Sequence, residues 1–465
     1  MKKKEIPVWI LSFLFFGILC AVFGVGLYPD SESYLHMAAE REPLYPLFLH
    51  ICQSLFGNHQ MQGAIILQNI LAACSVAYFT CVMSRLFLKE EKSVLAWVGT
   101  LILWGCALMP YLMTPLGSAS HMVLSNSILT EGLTYPLYLL FTTELIRGLF
   151  ENEDIQKKAY ARALFSVFLL LMLRNQMLTT LVVWLIVVGF SVLKRKATWR
   201  RKILQCGGLF LAVVLVLFLK SGCFQIYYNH YCDGYSGKDL GNVGFLANVL
   251  YLADDKEDVI IQDNALQTAY EQMRTEQKKQ GLFVQQDGTP VGRALNYEDC
   301  YDPLKFDIIQ PILEKELYAQ GMAGREVNAR VYEQCGELFQ GLLPTVMGDY
   351  IHLILDNLCL GLIRTVSLPR GIFLVAGVGV YLVLLVLLLW NIRKKGSKEI
   401  PLLLILALGM TLLHTGATAV VIMCLSRYVI YNTTLLYSAG FLALLEWIKW
   451  HTERKKKHGI QTSEI

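Results

Sequence analysis

Long apolar runs alternate with short charged stretches along most of this chain. A bilayer core of ~30 Å needs about 20 helical residues at about 1.5 Å rise each. Residues 7–27 meet that length without a charge. They follow Met1-Lys2-Lys3-Lys4, a start like a signal peptide, but the run is long and lacks a small-x-small cleavage site. It reads as an uncleaved first span. Further apolar runs lie near 63–84, 94–113, 128–146, 163–193, 203–219, 371–392, 400–424 and 428–446. The pattern predicts an all-α polytopic membrane protein.

Between the sixth and seventh runs the pattern changes. Residues 221–369 hold a helix-like stretch (262–280), a turn signal at Asp287-Gly288 between short apolar runs, and amphipathic segments around 303–320 and 327–343. The chain divides into an N-terminal transmembrane module with a first loop at 28–61 (1–220), this region (221–369), C-terminal transmembrane helices (370–448) and a basic tail (449–465). Composition agrees with the class. Of the 465 residues 55% are hydrophobic and 17% charged, against roughly 25% charged in ordinary soluble domains. A secreted disulfide scaffold, a nucleic-acid-binding domain and a cytosolic enzyme are excluded.

Charge placement adds orientation. The net charge is only +4, yet six short clusters (2–4, 85–92, 147–162, 194–202, 393–398 and 449–457) hold 25 of the 41 Lys and Arg. Under the positive-inside rule these clusters and both termini are cytoplasmic, and the expected location is the plasma membrane. The same parity decides how 163–193 is built. One crossing would put 194–202 outside, whereas two helices meeting near Arg174 keep it inside. The hairpin brings the expected count to about ten spans. It also makes 221–369 extracytoplasmic, with 21 acidic and 11 basic residues.

Other signals exclude more than they assign. Cys223, Cys232, Cys300 and Cys335 fall in the outer region, where two disulfides and free thiols are both open for them. There is no CxxC or HExxH zinc spacing and no GxxxxGK[ST] phosphate loop for an ATP-driven pump. Asn432-Thr433-Thr434 matches a glycosylation site but lies in an expected span.

Chemistry gathers at the outer ends of the spans. Asp30 and Glu32 are the first charges after span one, in Tyr28-Pro29-Asp30-Ser31-Glu32-Ser33-Tyr34, and Pro29 favours a break there. Arg41-Glu42-Pro43-Leu44-Tyr45-Pro46-Leu47-Phe48 follows, suited to lying along the interface. The uncharged stretch 109–130 contains His121, then Thr130-Glu131 opens the next span. Arg174 stands alone in its hairpin, and Ser426-Arg427-Tyr428 opens the last span. Each feature has a plain alternative: a helix cap, a dipole partner or a snorkelling side chain. Together they suit one task. A lipid-phosphate donor needs cations at headgroup depth, and an acceptor hydroxyl needs a carboxylate base.

With these elements the chain resembles the GT-C superfamily of polyprenyl-phosphate-sugar-dependent glycosyltransferases, of the bacterial mannosyltransferase-like type. The matching elements are the Asp after the first span, Tyr34…Ala38, Pro43-Leu44-Tyr45-Pro46-Leu47, Thr130-Glu131, Arg174 and Arg427-Tyr428. The resemblance covers roughly the first 200 residues and the end of the chain. It implies a helical bundle whose outer loops form the active site, and an inverting transfer. Carried over, Asp30 is the catalytic base and Glu32 a helper, while Arg174 and Arg427 bind the phosphate. Tyr34, His121, Glu131 and Tyr428 complete the expected substrate-binding set. The implied partners are the bilayer, a polyprenyl-phosphate-linked sugar and an extracytoplasmic envelope acceptor, with no nucleic acid. Use of a divalent metal is left open.

Two other classes compete with this expectation. A transporter or lipid-linked-glycan flippase calls for paired broken helices with midplane polar groups in both halves, and His414 with Thr415-Gly416 is the best such site. A non-catalytic scaffold would work through 221–369.

Overall fold

The computed structural model describes residues 5–461, apart from 89–92, 118–120, 196–197, 236–240, 254–263, 285–287 and 395–397. The chain is helical throughout this part, with no strand among the described residues; one isolated parallel bridge joins Gly26 to Ser127. Asp287 of the expected turn lies outside the described residues.

The first half comprises α1 (Ile6–Phe23), short α2 (Ser31–Leu35), α3 (Leu44–Phe56), α4 (Gln60–Phe87), α5 (Ser93–Gly117), α6 (Glu131–Phe150), α7 (Glu153–Leu173), α8 (Leu178–Lys194) and α9 (Trp199–Tyr231). The second half comprises α10 (Gly241–Leu252), α11 (Asn264–Gln280), α12 (Pro290–Pro303), α13 (Gln310–Ala319), α14 (Arg325–Val366), α15 (Gly371–Arg393), α16 (Glu399–Val421), α17 (Ser426–Val429) and α18 (Thr433–Gln461).

Nine segments among the described residues are long and apolar enough to cross a membrane: Ile6–Phe23, Leu44–Phe87, Val94–Gly117, Asn175–Lys194, Trp199–Tyr231, Arg325–Val366, Gly371–Arg393, Glu399–Val421 and Ser426–Arg454. The set differs from the sequence expectation in two places. The pair α6 and α7, expected as crossings, is not in it, because both helices carry charged side chains along an otherwise apolar run. In α6 these charges face protein, with Glu144 and Arg147 bonded inside the bundle, whereas Lys157, Lys158 and Arg162 of α7 are exposed. Conversely α14, placed wholly outside by the sequence, is apolar enough to qualify. Its last turns meet the bundle's end: Tyr437 Oη donates to the Val366 carbonyl, and Tyr381 Oη donates to the Leu362 carbonyl at 2.9 Å.

The expected hairpin is present as a helix break. α7 stops at Leu173, Arg174 is extended (φ −156°, ψ 130°), and a 3-10 turn leads into α8. Elsewhere the boundaries shift. α9 continues past residue 220 to Tyr231, while α11 covers most of the predicted 262–280 stretch.

Two large apolar cores form among the described residues, with three small clusters beside them. The larger joins α1 and α3 to α8 with α15, α16 and α18. The smaller lies between α10–α13 and α14, around Leu246, Leu250, Tyr297, Leu304, Ile308 and Leu342. α12 begins where Thr289 Oγ1 accepts from Gly292 N at 3.1 Å and Pro290 takes the first turn. Arg293 then clamps Asp356 of α14 with two bonds of 2.6 and 2.7 Å. All twelve cysteines are free thiols, so Cys223, Cys232, Cys300 and Cys335 form no disulfide.

Candidate functional site

Every charged residue expected at the outer ends sits at a helix end. Asp30 precedes α2, Glu131 is the first residue of α6, Arg174 separates α7 from α8, and Arg427 lies in α17. Such ends leave backbone groups unpaired and point side chains out of the apolar layer. What brings them together is a buried polar seam. Gly26 N donates to the Asn126 carbonyl (2.8 Å) and Ile128 N to the Gly26 carbonyl (2.9 Å). Asn126 Nδ2 donates to the carbonyls of Leu19 and Gly24. From α4, Gln68 Nε2 donates to the carbonyls of Ser125 and Ser127, each at 3.1 Å. Gly132 permits this approach, since a Cβ there would stand 2.5 Å from Gln68 Nε2. The segment after α1 is thereby fixed beside the start of α6.

The result is a chain of five charges. Arg41 Nη2 donates to Asp30 Oδ1 at 2.7 Å. Arg427 stands 3.6 Å from Asp30 Oδ2 and 3.8 Å from Glu131 Oε1. Arg174 Nη1 donates to Glu131 Oε1 at 2.8 Å. Three guanidiniums against two carboxylates leave one positive charge in surplus. The Tyr428 ring lies under both Arg174 and Arg427, at 4.7 and 4.9 Å, and its hydroxyl accepts from Arg427 Nη2 at 2.9 Å. Tyr34 supports Arg41 in the same way, at 4.6 Å. These cation–π contacts hold the arginines without consuming their donors.

Burial pushes the Asp30 carboxyl up, but Arg41, with Arg427 and Arg174 behind it, holds it below the ordinary aspartate range. Burial likewise pushes the Tyr34 phenol up to about 12 against the pull of Arg41, so it stays neutral. A native carboxyl held low stabilises the fold above its unfolded pKa of about 3.9, and this is lost as pH falls through the native value. Arg41→Ala should therefore flatten the acid limb of melting temperature below about pH 4. Equal acid limbs in the two proteins would contradict the pairing.

Two expected residues lie apart. Glu32 is exposed and faces His36 at 3.9 Å, away from Asp30. His121 is exposed, and its Nδ1 pairs with the Pro115 carbonyl at 3.0 Å; among the described residues no bond links it to the five charges. Its neighbourhood does reach them, since Gly117 lies against Ser426. His414 is buried, with Nδ1 3.0 Å from Thr179 Oγ1 and Nε2 2.9 Å from the Tyr428 carbonyl. Both nitrogens being taken, it fastens α17 rather than lining a path.

Four residues near the site were not singled out by sequence. Arg41 is one, though as the only basic residue of 28–61 it carried a signal. Tyr431, whose hydroxyl is 3.4 Å from Arg174 Nη1, is the second. Asp302 and Lys305, from the α12 side, are the others. No group of three or more His, Cys, Asp or Glu forms a metal-ligand set among the described residues.

The opposite end of the bundle, about 30 Å away along the length of α6, has its own network. There Arg147 bonds Glu144 and Glu151, and Arg85 reaches Glu151 at 3.1 Å beside a cavity of about 360 Å³. These ions satisfy one another. No protein-family model, curated protein or solved structure matches the chain.

Proposed function

We propose that this protein is a membrane glycosyltransferase with a GT-C-like bundle, which moves a sugar from a polyprenyl-phosphate carrier to an envelope acceptor. The observation that supports it is the continuous run Arg41–Asp30–Arg427–Glu131–Arg174 at one end of the apolar helices. Ions at that depth are costly unless paired or functional, and pairing alone leaves one cation over.

In this reading Asp30 accepts the proton of an acceptor hydroxyl. The acceptor oxygen attacks the anomeric carbon opposite the phosphate, the bond from that carbon to the phosphate oxygen breaks, and configuration inverts. The polyprenyl phosphate leaves with the bonding electrons, its charge stabilised by arginine. Arg427 is the member best placed to turn to it, since its contacts of 3.6 and 3.8 Å are the loosest of the run. Arg174, held at 2.8 Å by Glu131, stays as fixed positive background. Arg85 and Arg147, from two of the basic clusters, lie at the other end of the bundle, so both termini and the basic loops face the cytoplasm of the cell membrane in this proposal.

The test uses purified protein in liposomes, a radiolabelled polyprenyl-phosphate sugar and envelope extract as acceptor. The label should move to an acceptor through a glycosidic bond. Label that crosses the bilayer still attached to its carrier would instead identify a flippase.

A further inference from the structure

The helices of 241–366, for which the sequence offers no motif, supply a second wall to this site. α12 is tied to the site by one guanidinium: Arg364 of α14 pairs with Glu298 at 2.6 Å and donates to the Cys424 carbonyl at 3.0 Å, three residues before Arg427. Asp302 stands one helical turn after Glu298 and so shares its face of α12. Lys305 follows in the π-helical turn Leu304–Ile309.

Both residues lie within electrostatic range of the five charges. Asp302 interacts with Arg427 and Asp30, and Lys305 with Asp302, Asp30 and Arg41. Asp302 is exposed to solvent, yet burial raises its carboxyl above the ordinary range. Lys305 is half-buried, and burial lowers its ammonium. Asp302 and Lys305 therefore extend the cluster of five charges onto the α12 side.

Lys305 differs from the arginines it faces. Arg41 and Arg174 each have a carboxylate within hydrogen-bond distance, and Arg427 has two within 4 Å. Among the described residues Lys305 has no carboxylate at ion-pair distance, and its ammonium lies over the Phe306 ring at 4.5 Å. An arginine must loosen a carboxylate at ion-pair distance to take a new anion, whereas Lys305 has only the Phe306 contact and the longer-range pull of Asp302 and Asp30 to give up. A lysine ammonium also serves as a compact point charge with three rotatable donors, suited to a phosphate whose position varies.

We propose that Lys305 anchors the phosphate of the lipid-linked ligand, so that the phosphate is held between the α12 wall and the arginines. The identity of the ligand rests on the function proposed above; the anchor rests on the placement of Lys305.

The test titrates full-length protein in nanodiscs with a short-chain polyprenyl monophosphate, using free polyprenol and inorganic phosphate as comparison ligands. Lys305→Ala should weaken binding of the phosphorylated lipid roughly 10-fold or more. Lys305→Arg should keep it within about threefold. Lys315→Ala, at an exposed lysine of α13, should leave it unchanged, and polyprenol should bind all variants alike. A parallel loss with inorganic phosphate means the phosphate alone is recognised, and a loss confined to the lipid means chain and phosphate are read together; both support the anchor. Unchanged binding by Lys305→Ala would overturn this inference alone. Failure of the wild-type protein to bind the phosphorylated lipid would overturn it together with the functional reading.

Discussion

Glu131→Ala is expected to destabilise the protein by about 3–5 kcal/mol, the cost of leaving a buried ion without its partner. Glu131 is 3% exposed and is the only carboxylate within 4 Å of Arg174 among the described residues. Its removal also frees Arg427 on that side, leaving two guanidiniums 4.7 and 4.9 Å over the Tyr428 ring with no anion between them. Glu131→Gln should cost less, because its amide oxygen can still accept from Arg174. Adding Arg174→Leu to Glu131→Ala should recover part of the loss, since the two residues act as one unit. Thermal melting in detergent measures all of these. A Glu131→Ala protein as stable as wild type would mean that the ion pair contributes nothing to the fold.

The second large effect is on rate. Asp30→Asn should lower transfer by roughly 10²–10⁴-fold, the usual contribution of a positioned general base. It should leave the amount of protein in the membrane unchanged, because the Asp30 side chain is 37% exposed and its pairing is screened by water. The asparagine oxygen can still accept from Arg41, so the loop keeps its form while the proton acceptor is gone. Full transfer by Asp30→Asn would remove Asp30 from the mechanism. The contrast between the two carboxylates is itself informative: Glu131 should act mainly on stability, and Asp30 on turnover.

Much of the site was legible from helix ends. Proline and isolated charges in apolar surroundings mark where a helix stops at an interface, which is why Asp30, Glu131, Arg174 and Arg427 could be placed on one face. Glu32 could not be separated from Asp30 this way. Two residues apart, they part because Asp30 precedes α2 and reaches Arg41 while Glu32 sits within the helix and faces His36. Arg41 was hidden for the opposite reason, since it reaches back eleven positions around a loop whose path no local pattern specifies.

The α14 region exposes a different limit. Its charged first half and apolar second half average to an amphipathic outer segment, yet one helix of 42 residues carries both. Likewise Gln68 and Asn69 resemble incidental polar residues within an apolar run. They are the donors that fasten 125–127 to α4. Asp302 and Lys305 depend on the Glu298–Arg364–Cys424 tie, a contact across 60 or more positions. Such pairings follow from packing between cores, which no single segment encodes.

The central claim is that this run of charges handles a lipid-linked sugar rather than merely anchoring helices. Mass spectrometry of envelope glycans and lipid-linked sugars, from cells with the wild-type chain, without it, or with Asp30→Asn, tests that claim most directly. Loss of one sugar unit from an envelope glycan and accumulation of its polyprenyl-phosphate donor, equally in the deletion and the Asp30→Asn strain, is the predicted result. Identical glycan and lipid profiles in all three strains would contradict it.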